Sequence, residues 1–241
     1  MSPKRARQPT PFLPDPNTVF LMDMYTQIDD PTPGGFIQDL SGKGNDAQVH
    51  GSPKFLRHDT GEMNALQFAP EDKLTVRHSA SLDMTKQITI ETWAQTTYPK
   101  AGYILLKKEA YGFPKFVDDD GKNSVFSYLR LRGQGGNPNF VVAQPEATDG
   151  KWHYFALTYD GKVIRYYLDG ELSHEMKVID AISSANTDIV IGHSDGWNNH
   201  DGPVNFYGKI STIRISNRAR SPDEIQHAAT VGKKLLRERD D

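Results

Sequence analysis

The 241-residue chain has no cysteine, which excludes disulfide staples, thiolate metal sites, iron–sulfur clusters and a cysteine nucleophile. No apolar run reaches the roughly 18 residues that a membrane-spanning helix requires. Charge of one sign is not in excess either: 28 Lys and Arg face 31 Asp and Glu, a net of -3. Dedicated nucleic-acid binders carry a basic surplus, so that class is disfavoured. No Asn-x-Ser/Thr sequon occurs, and nothing points to a glycosylated ectodomain. The basic opening Met1–Arg7 runs into Pro-rich polar sequence where a signal peptide would place an apolar core. A leader is therefore not expected in this chain.

Aromatic residues make up 10% and hydrophobic residues 37% of the chain, in regular patterns, so a folded core is expected. Residues 1–16 carry five prolines and no periodicity, and read as a flexible tail. Within the sandwich domain expected over 17–220, short runs up to about residue 217 alternate with period two, as strands with one buried and one presented face do. Clear cases are 87–94, 124–131 and 162–168, the last bracketed by the hairpin turns Asp160-Gly161 and Asp169-Gly170. Ser221-Pro222-Asp223-Glu224 marks a helix start, with Ser221 as N-cap and Glu224 completing a capping box, so 221–241 is expected to pack on the strands as a helix. Many strands with regular turns predict an all-β, two-sheet antiparallel jelly-roll sandwich with one C-terminal helix.

A series of segments in order carries a resemblance. They are the loop 39–47 (DLSGKGNDA), the strand 64–68 (NALQF), Ser81-Leu82-Asp83 before 88–93 (ITIETW), 149–161 (DGKWHYFALTYDG), 167–172 (YLDGEL) and 213–221 (IRISNRARS). Together they resemble the laminin-G-like, concanavalin A-like jelly rolls. The resemblance implies the sandwich fold and a carbohydrate-binding, lectin-like role, in an extracellular or periplasmic setting and within a larger parent protein. The same fold hosts glycosidases, polysaccharide lyases and protein-interaction modules, so those alternatives stay open. Calcium is the one metal to test, with Asp39 or Asn45 of the 39–47 turn supplying oxygen to it. Relatives often place a calcium-binding Asp in the last strand, where this chain has Ser211, which puts that second site in doubt.

Two motifs fail on context, and a third is missing. Gly42-Lys43-Gly44-Asn45-Asp46-Ala47 matches the dinucleotide fingerprint, but the following 48–51 has no helical period, so a turn is expected. Gly192-His193-Ser194-Asp195-Gly196 matches a nucleophile elbow, with His200 and Asp201 near, yet 197–203 cannot form the required helix. The glycosidase spacing E-x-D-x-x-E is absent. Trp152-His153 reads as a structural pair at a strand start, and Asp118–Gly121 as a turn rather than a calcium loop.

Strand phase supplies the candidate ligand residues. If Ile88, Ile90 and Ala94 face the core, Glu91, Trp93 and Gln95 point outward. If Leu129 and Leu131 face the core, Tyr128, Arg130 and Arg132 point outward; Arg165 and Tyr167 follow from the third run. Aromatic rings stack on sugar C–H faces and guanidinium forks bind carboxylate or sulfate. The set predicts an anionic poly- or oligosaccharide ligand, with Trp197 and His200 in the 197–203 loop as further contacts. No catalytic residue is assigned. For the lyase alternative, Arg130 or Arg132 with Tyr128, Tyr167 or a histidine would supply neutraliser, base and acid.

Overall fold

A computed structural model describes residues 10–27, 31–57, 62–98, 102–119, 122–133, 139–143, 145–194 and 205–237. The first strands are β1 (Thr18–Asp23), β2 (Phe36–Ile37), β3 (Ala47–His50), β4 (Lys54–Leu56), β5 (Ala65–Phe68) and β6 (Lys73–Val76). Next come β7 (Ile88–Gln95), β8 (Gly102–Tyr103), β9 (Leu105–Lys107), β10 (Tyr111–Asp119), β11 (Lys122–Leu129) and β12 (Asn139–Ala143). The chain continues through β13 (Trp152–Tyr159), β14 (Val163–Leu168), β15 (Glu171–Lys177), β16 (Ile189–Ile191) and β17 (Gly208–Ser216), and ends in helix α1 (Pro222–Arg237).

Two antiparallel sheets form the sandwich. Sheet I has the order β15-β14-β13-β7-β17-β5-β4, and β1 also pairs with β17. Sheet II has the order β12-β11-β10-β9-β16-β6-β3-β2, with β8 on β10. Strand β17 is the hinge of sheet I: β7 lies along one side, while β5 and then β1 share the other.

The alternating residues set the core. Ile88, Ile90, Phe155, Leu157, Ile213 and Ile215 of sheet I meet Leu74, Leu105, Phe116, Val125, Ile189 and Ile191 of sheet II. Phe116 and Phe155 join the layers edge-to-face at 5.4 Å. Each such side chain taken from water contributes about 1.5–3 kcal/mol.

The two expected hairpins form at Asp160-Gly161 and Asp169-Gly170. Asp169 and Gly170 both have positive φ (54° and 92°), as a tight β turn matched to strand twist requires. The capping box forms as read: Glu224 N donates to Ser221 Oγ at 3.3 Å, and Ser221 N donates to the Glu224 carboxylate at 2.9 Å. Ile225, Ala228, Ala229 and Leu235 repeat on one side of α1 and bury against the outer face of sheet I.

One expectation needs correction. Residues 10–16 were expected within a flexible tail, but they lie on sheet I as a strap, with Phe12 fully buried against Tyr154. Residues 1–9 lie outside the described residues.

Candidate ligand-binding face

Three of the candidate residues on the outer side of sheet I, Glu91, Trp93 and Tyr167, are buried. Glu91 is fully buried; Arg214 grips it through two 2.7 Å hydrogen bonds, and Tyr154 donates its hydroxyl to it at 2.6 Å. Arg220 adds a third cationic contact at 3.2 Å. The Arg214 guanidinium lies over the Phe12 ring at 4.5 Å and donates to Leu13 O, which fastens the strap. Trp93 has no exposed surface, packs beside Tyr154, and is capped by Gly232 of α1. Tyr167 is buried in the same cluster. The reading of Glu91, Trp93 and Tyr167 as ligand contacts is therefore wrong: they do point away from the inter-sheet core, but into a second core under the helix and strap.

Two more residues on this side are committed to the chain itself. Gln95 donates to Gly150 O at 2.7 Å. Arg165 is held by Asp160 at 2.9 Å and Glu175 at 3.3 Å, tying β14 to the β13–β14 turn and to β15.

Tyr128 lies on β11 of sheet II, and Arg130 and Arg132 follow that strand, so the candidate set does not share one surface. Tyr128 is buried, and burial pushes its phenol up to about 12. Arg130 is exposed and pairs with Glu109, while its N–H donates to Ala110 O. Arg132 is exposed next to the Leu131–Ile182 bridge. Trp197 and His200, with the rest of the elbow motif from Asp195, lie outside the described residues.

The outer face of sheet II has no helix over it among the described residues. Tyr103, Leu106 and Tyr128 form a small cluster there, all three buried. The ammonium of Lys115 sits 5.5 Å from the Tyr103 ring centroid and 6.0 Å from that of Phe126. Such contacts fix a cation on an aromatic surface. Beside this cluster a cavity of about 330 Å³ is lined by Leu106, Lys108, Asn186, Thr187, Asp188, Val190 and Ser194. Its rim is braced from below: buried Lys107 donates to Thr187 O at 2.8 Å, Thr187 donates to Lys108 O at 2.7 Å, and Asp188 accepts from His78 N at 2.8 Å. An apolar floor with a few fixed polar groups is the usual make-up of a small-ligand cleft.

Sequence phase missed these residues for a local reason. Register shifts between Gly112 and Lys115, around Pro114, so counting by twos from Tyr111 puts Lys115 on the wrong face. The polar rim comes from the 186–188 turn, where no periodicity exists.

The Asp39–Asn45 loop does not fit a calcium ion. The Asp39 carboxylate already accepts from Leu21 N, Ser41 N, Ser41 Oγ and Asn45 N, at 2.6–3.0 Å. Asn45 accepts from Ser79 Oγ and donates to Val19 O and Ser81 Oγ. Four donors aimed at one carboxylate occupy the lone pairs that a hard cation needs. Both residues are clamps that tie the loop to β1 and to the 79–81 segment. Among the described residues no three His, Asp or Glu side chains cluster as metal ligands. The fingerprint glycines lie in the same turn, and Ala47 opens strand β3 rather than a helix.

His153 is structural in its contacts. Its Nδ1 lies 2.9 Å from Asp169 and its Nε2 3.1 Å from Asp149, which ties the start of β13 to the β14–β15 turn. Burial lowers its pKa, but hydrogen bonds and charge from Asp169 and Asp149 outweigh burial and raise it above the usual value. Trp152 donates its indole N–H to Glu62 at 2.7 Å.

Fold and family agree. The chain belongs to the concanavalin A-like lectin/glucanases superfamily, whose model matches residues 69–226. The binding domain of Paraclostridial Mosquitocidal Protein 1 superposes with a TM-score of 0.67 at 14% identity, over 88% of this chain and 52% of that one. The botulinum neurotoxin serotype G binding domain gives 0.64 at 16% identity, over 90% and 51%. Domain 4 of AbnA, a GH43 extracellular arabinanase from Geobacillus stearothermophilus, in complex with arabinotriose, gives 0.63 at 15% identity, over 88% and 98%. The chain thus spans about half the length of the toxin binding domains it matches. No curated protein sequence matches it.

Proposed function

We propose that the protein is a non-catalytic glycan-binding domain whose ligand, an acidic oligo- or polysaccharide, lies across the outer face of sheet II. One observation carries this reading: beside the buried Tyr103–Leu106–Tyr128 cluster and half-buried Lys115, the outer face of sheet II opens a polar-rimmed cleft that carries the exposed Lys108. Half-buried Val190, backed by the buried Leu106, gives a floor for sugar C–H faces, Asn186 and Thr187 pair with hydroxyls, and Lys108 with the nearby Lys115 attracts carboxylate or sulfate. The lysines take the part that the arginines were expected to play.

Likeness to an arabinanase domain in complex with arabinotriose supports carbohydrate binding in general terms. Among the described residues the cleft holds a single carboxylate, Asp188, engaged with a backbone N–H, which favours binding over two-acid hydrolysis. Such polymers are met outside the cytoplasm, where the domain would work within a larger protein.

Calorimetry of alginate, pectate and neutral arabinan against wild type and Lys108→Ala tests the reading. Tighter binding of the acidic chains, lost with Lys108→Ala and weakened by salt, is expected. Equal affinity for all three polymers, unaffected by the substitution, would sink the acidic-ligand reading.

A further inference from the structure

Two tyrosines stand apart from the cleft. Tyr98 is 50% and Tyr207 47% exposed, and their rings meet edge-to-face with centroids 6.4 Å apart. They sit where β7 leaves sheet I and β17 enters it. A single buried side chain fixes both: Thr96 donates its hydroxyl to Tyr207 O at 2.7 Å and accepts from Tyr98 N at 3.0 Å. Gly208 allows the two segments to approach, because a Cβ there would lie 2.3 Å from Gln95 O. The 149–151 turn runs alongside, with Gly150 N donating to Thr96 O at 3.2 Å. That turn presents Lys151, 79% exposed, paired to Asp149 at 2.9 Å.

We propose that this pair is a second saccharide contact, one that seats a neutral pyranose ring. It rests on the reading of the chain as a glycan binder. An edge-to-face pair offers one π face for the sugar's C–H side and one ring edge against its rim. The adjoining Lys151–Asp149 pair supplies a donor and an acceptor for hydroxyls, and because it is self-neutralised it does not call for a charged sugar.

The patch is too small for a protein partner, since a stable interface covers about 800 Å² per side. Among the described residues the other large exposed apolar side chains, Leu13, Phe36, Leu172 and Ile179, sit on other elements and do not extend it. Ring hydroxyls and buried backbone staples give a polar-tipped, rigid platform, which suits a sugar rather than a bilayer.

The test uses the full chain labelled with 3-fluorotyrosine, with the two resonances assigned by Tyr98→Phe and Tyr207→Phe. Probes are laminari-oligosaccharides, which are neutral, and oligogalacturonate, which is acidic. We expect the neutral probe to shift both resonances. The double variant Tyr98→Ala with Tyr207→Ala should lower its affinity about tenfold, the scale of one stacked ring. Circular dichroism and affinity for the acidic probe should not change. Equal binding of the neutral probe to wild type and double variant overturns the platform and leaves the glycan reading standing. No binding of either probe, or of arabinotriose, to wild type overturns both.

Discussion

The two outer faces of the sandwich obey the same strand alternation and end differently. On sheet I the outward positions of β7, β13 and β14 carry Trp93, Tyr154 and Tyr167, and α1 with the strap 10–16 buries them. On sheet II the outward positions carry Tyr103, Leu106 and Tyr128, which are buried without a helix over them among the described residues, and half-buried Lys115, with a cleft open beside them. Alternation assigns a face; it does not say whether a third layer covers it. The difference lies in a charged centre. Sheet I holds Glu91 between Arg214 and Arg220, an arrangement that tolerates burial only when every charge is met.

The sharpest way to break this contrast is to strip that centre. Arg214→Ala leaves Glu91 buried with one cation fewer and releases the strap's hold at Leu13. A loss of about 3–5 kcal/mol is expected, which lowers the melting temperature by roughly 10 °C in a domain this size. Urea unfolding measures it. A change below about 1 kcal/mol would show that water enters and that sheet I's outer face is not truly covered.

A smaller effect comes from the helix side of the same layer. A Cβ at Gly232 would lie 2.4 Å from the Trp93 indole. Gly232→Ala gains about 1 kcal/mol in helix propensity, but overpacking costs about 1–3 kcal/mol. The clash is with a fully buried ring that has nowhere to go, so net destabilisation is expected. Thermal melting decides the sign; a stabilised variant would mean that α1 sits further from the sheet.

These two sites also show what was legible. The helix start was readable because Ser221, Pro222 and Glu224 act within one turn, and the hairpins because Asp-Gly pairs act locally. The fold followed from segments whose residues face the inter-sheet core. Glu91 was misread because its partner Arg214 is 123 residues away, and a lone acid on a strand looks like a solvated one. Trp93 was misread because its cover, Gly232, contributes no side chain to notice. Asp39 looked like a metal ligand because its role depends on four N–H and O–H donors, three of them backbone N–H groups that sequence does not display. The cleft rim was invisible because turns carry no period.

A third, milder test uses pH. His153 has its pKa raised in the fold, so its contribution is fully present below the unfolded value near 6.5 and is lost as pH rises through the folded value. Asp149 behaves oppositely. Burial works against its charge, but Lys151 and His153 hold it down at about 2, so its contribution is present above about 4 and fades as pH falls toward 2. Asp169 is lowered in the same direction. Stability from this cluster should therefore peak between about pH 4 and 6.5. Melting scans of wild type and His153→Asn across pH 4–9 test it: the wild-type decline on the alkaline side should flatten in the variant. An identical decline in both would place the titrating group elsewhere.

The smallest stability effect belongs to the other face, and it separates the two most cleanly. Lys115 holds its ammonium over Tyr103 and Phe126 from the surface side, and it is only partly buried. Exposed cation–ring contacts are worth about 0.5–1 kcal/mol, and surface substitutions away from buried features stay within about 0.5 kcal/mol. Lys115→Ala should accordingly leave the melting temperature within about 2 °C of wild type. Its effect on ligand binding should be larger than its effect on folding. Removing one charge-assisted contact to a uronate carboxylate lowers affinity about tenfold, and that loss should shrink as salt rises, because the partly exposed pair is screened over about 10 Å at 0.1 M. Paired melting and pectate calorimetry at 0.05 and 0.5 M salt provide the measurement. A face built to bind gives a variant that folds normally and binds poorly; a face that only supports the sandwich gives the reverse, as Arg214→Ala does on sheet I.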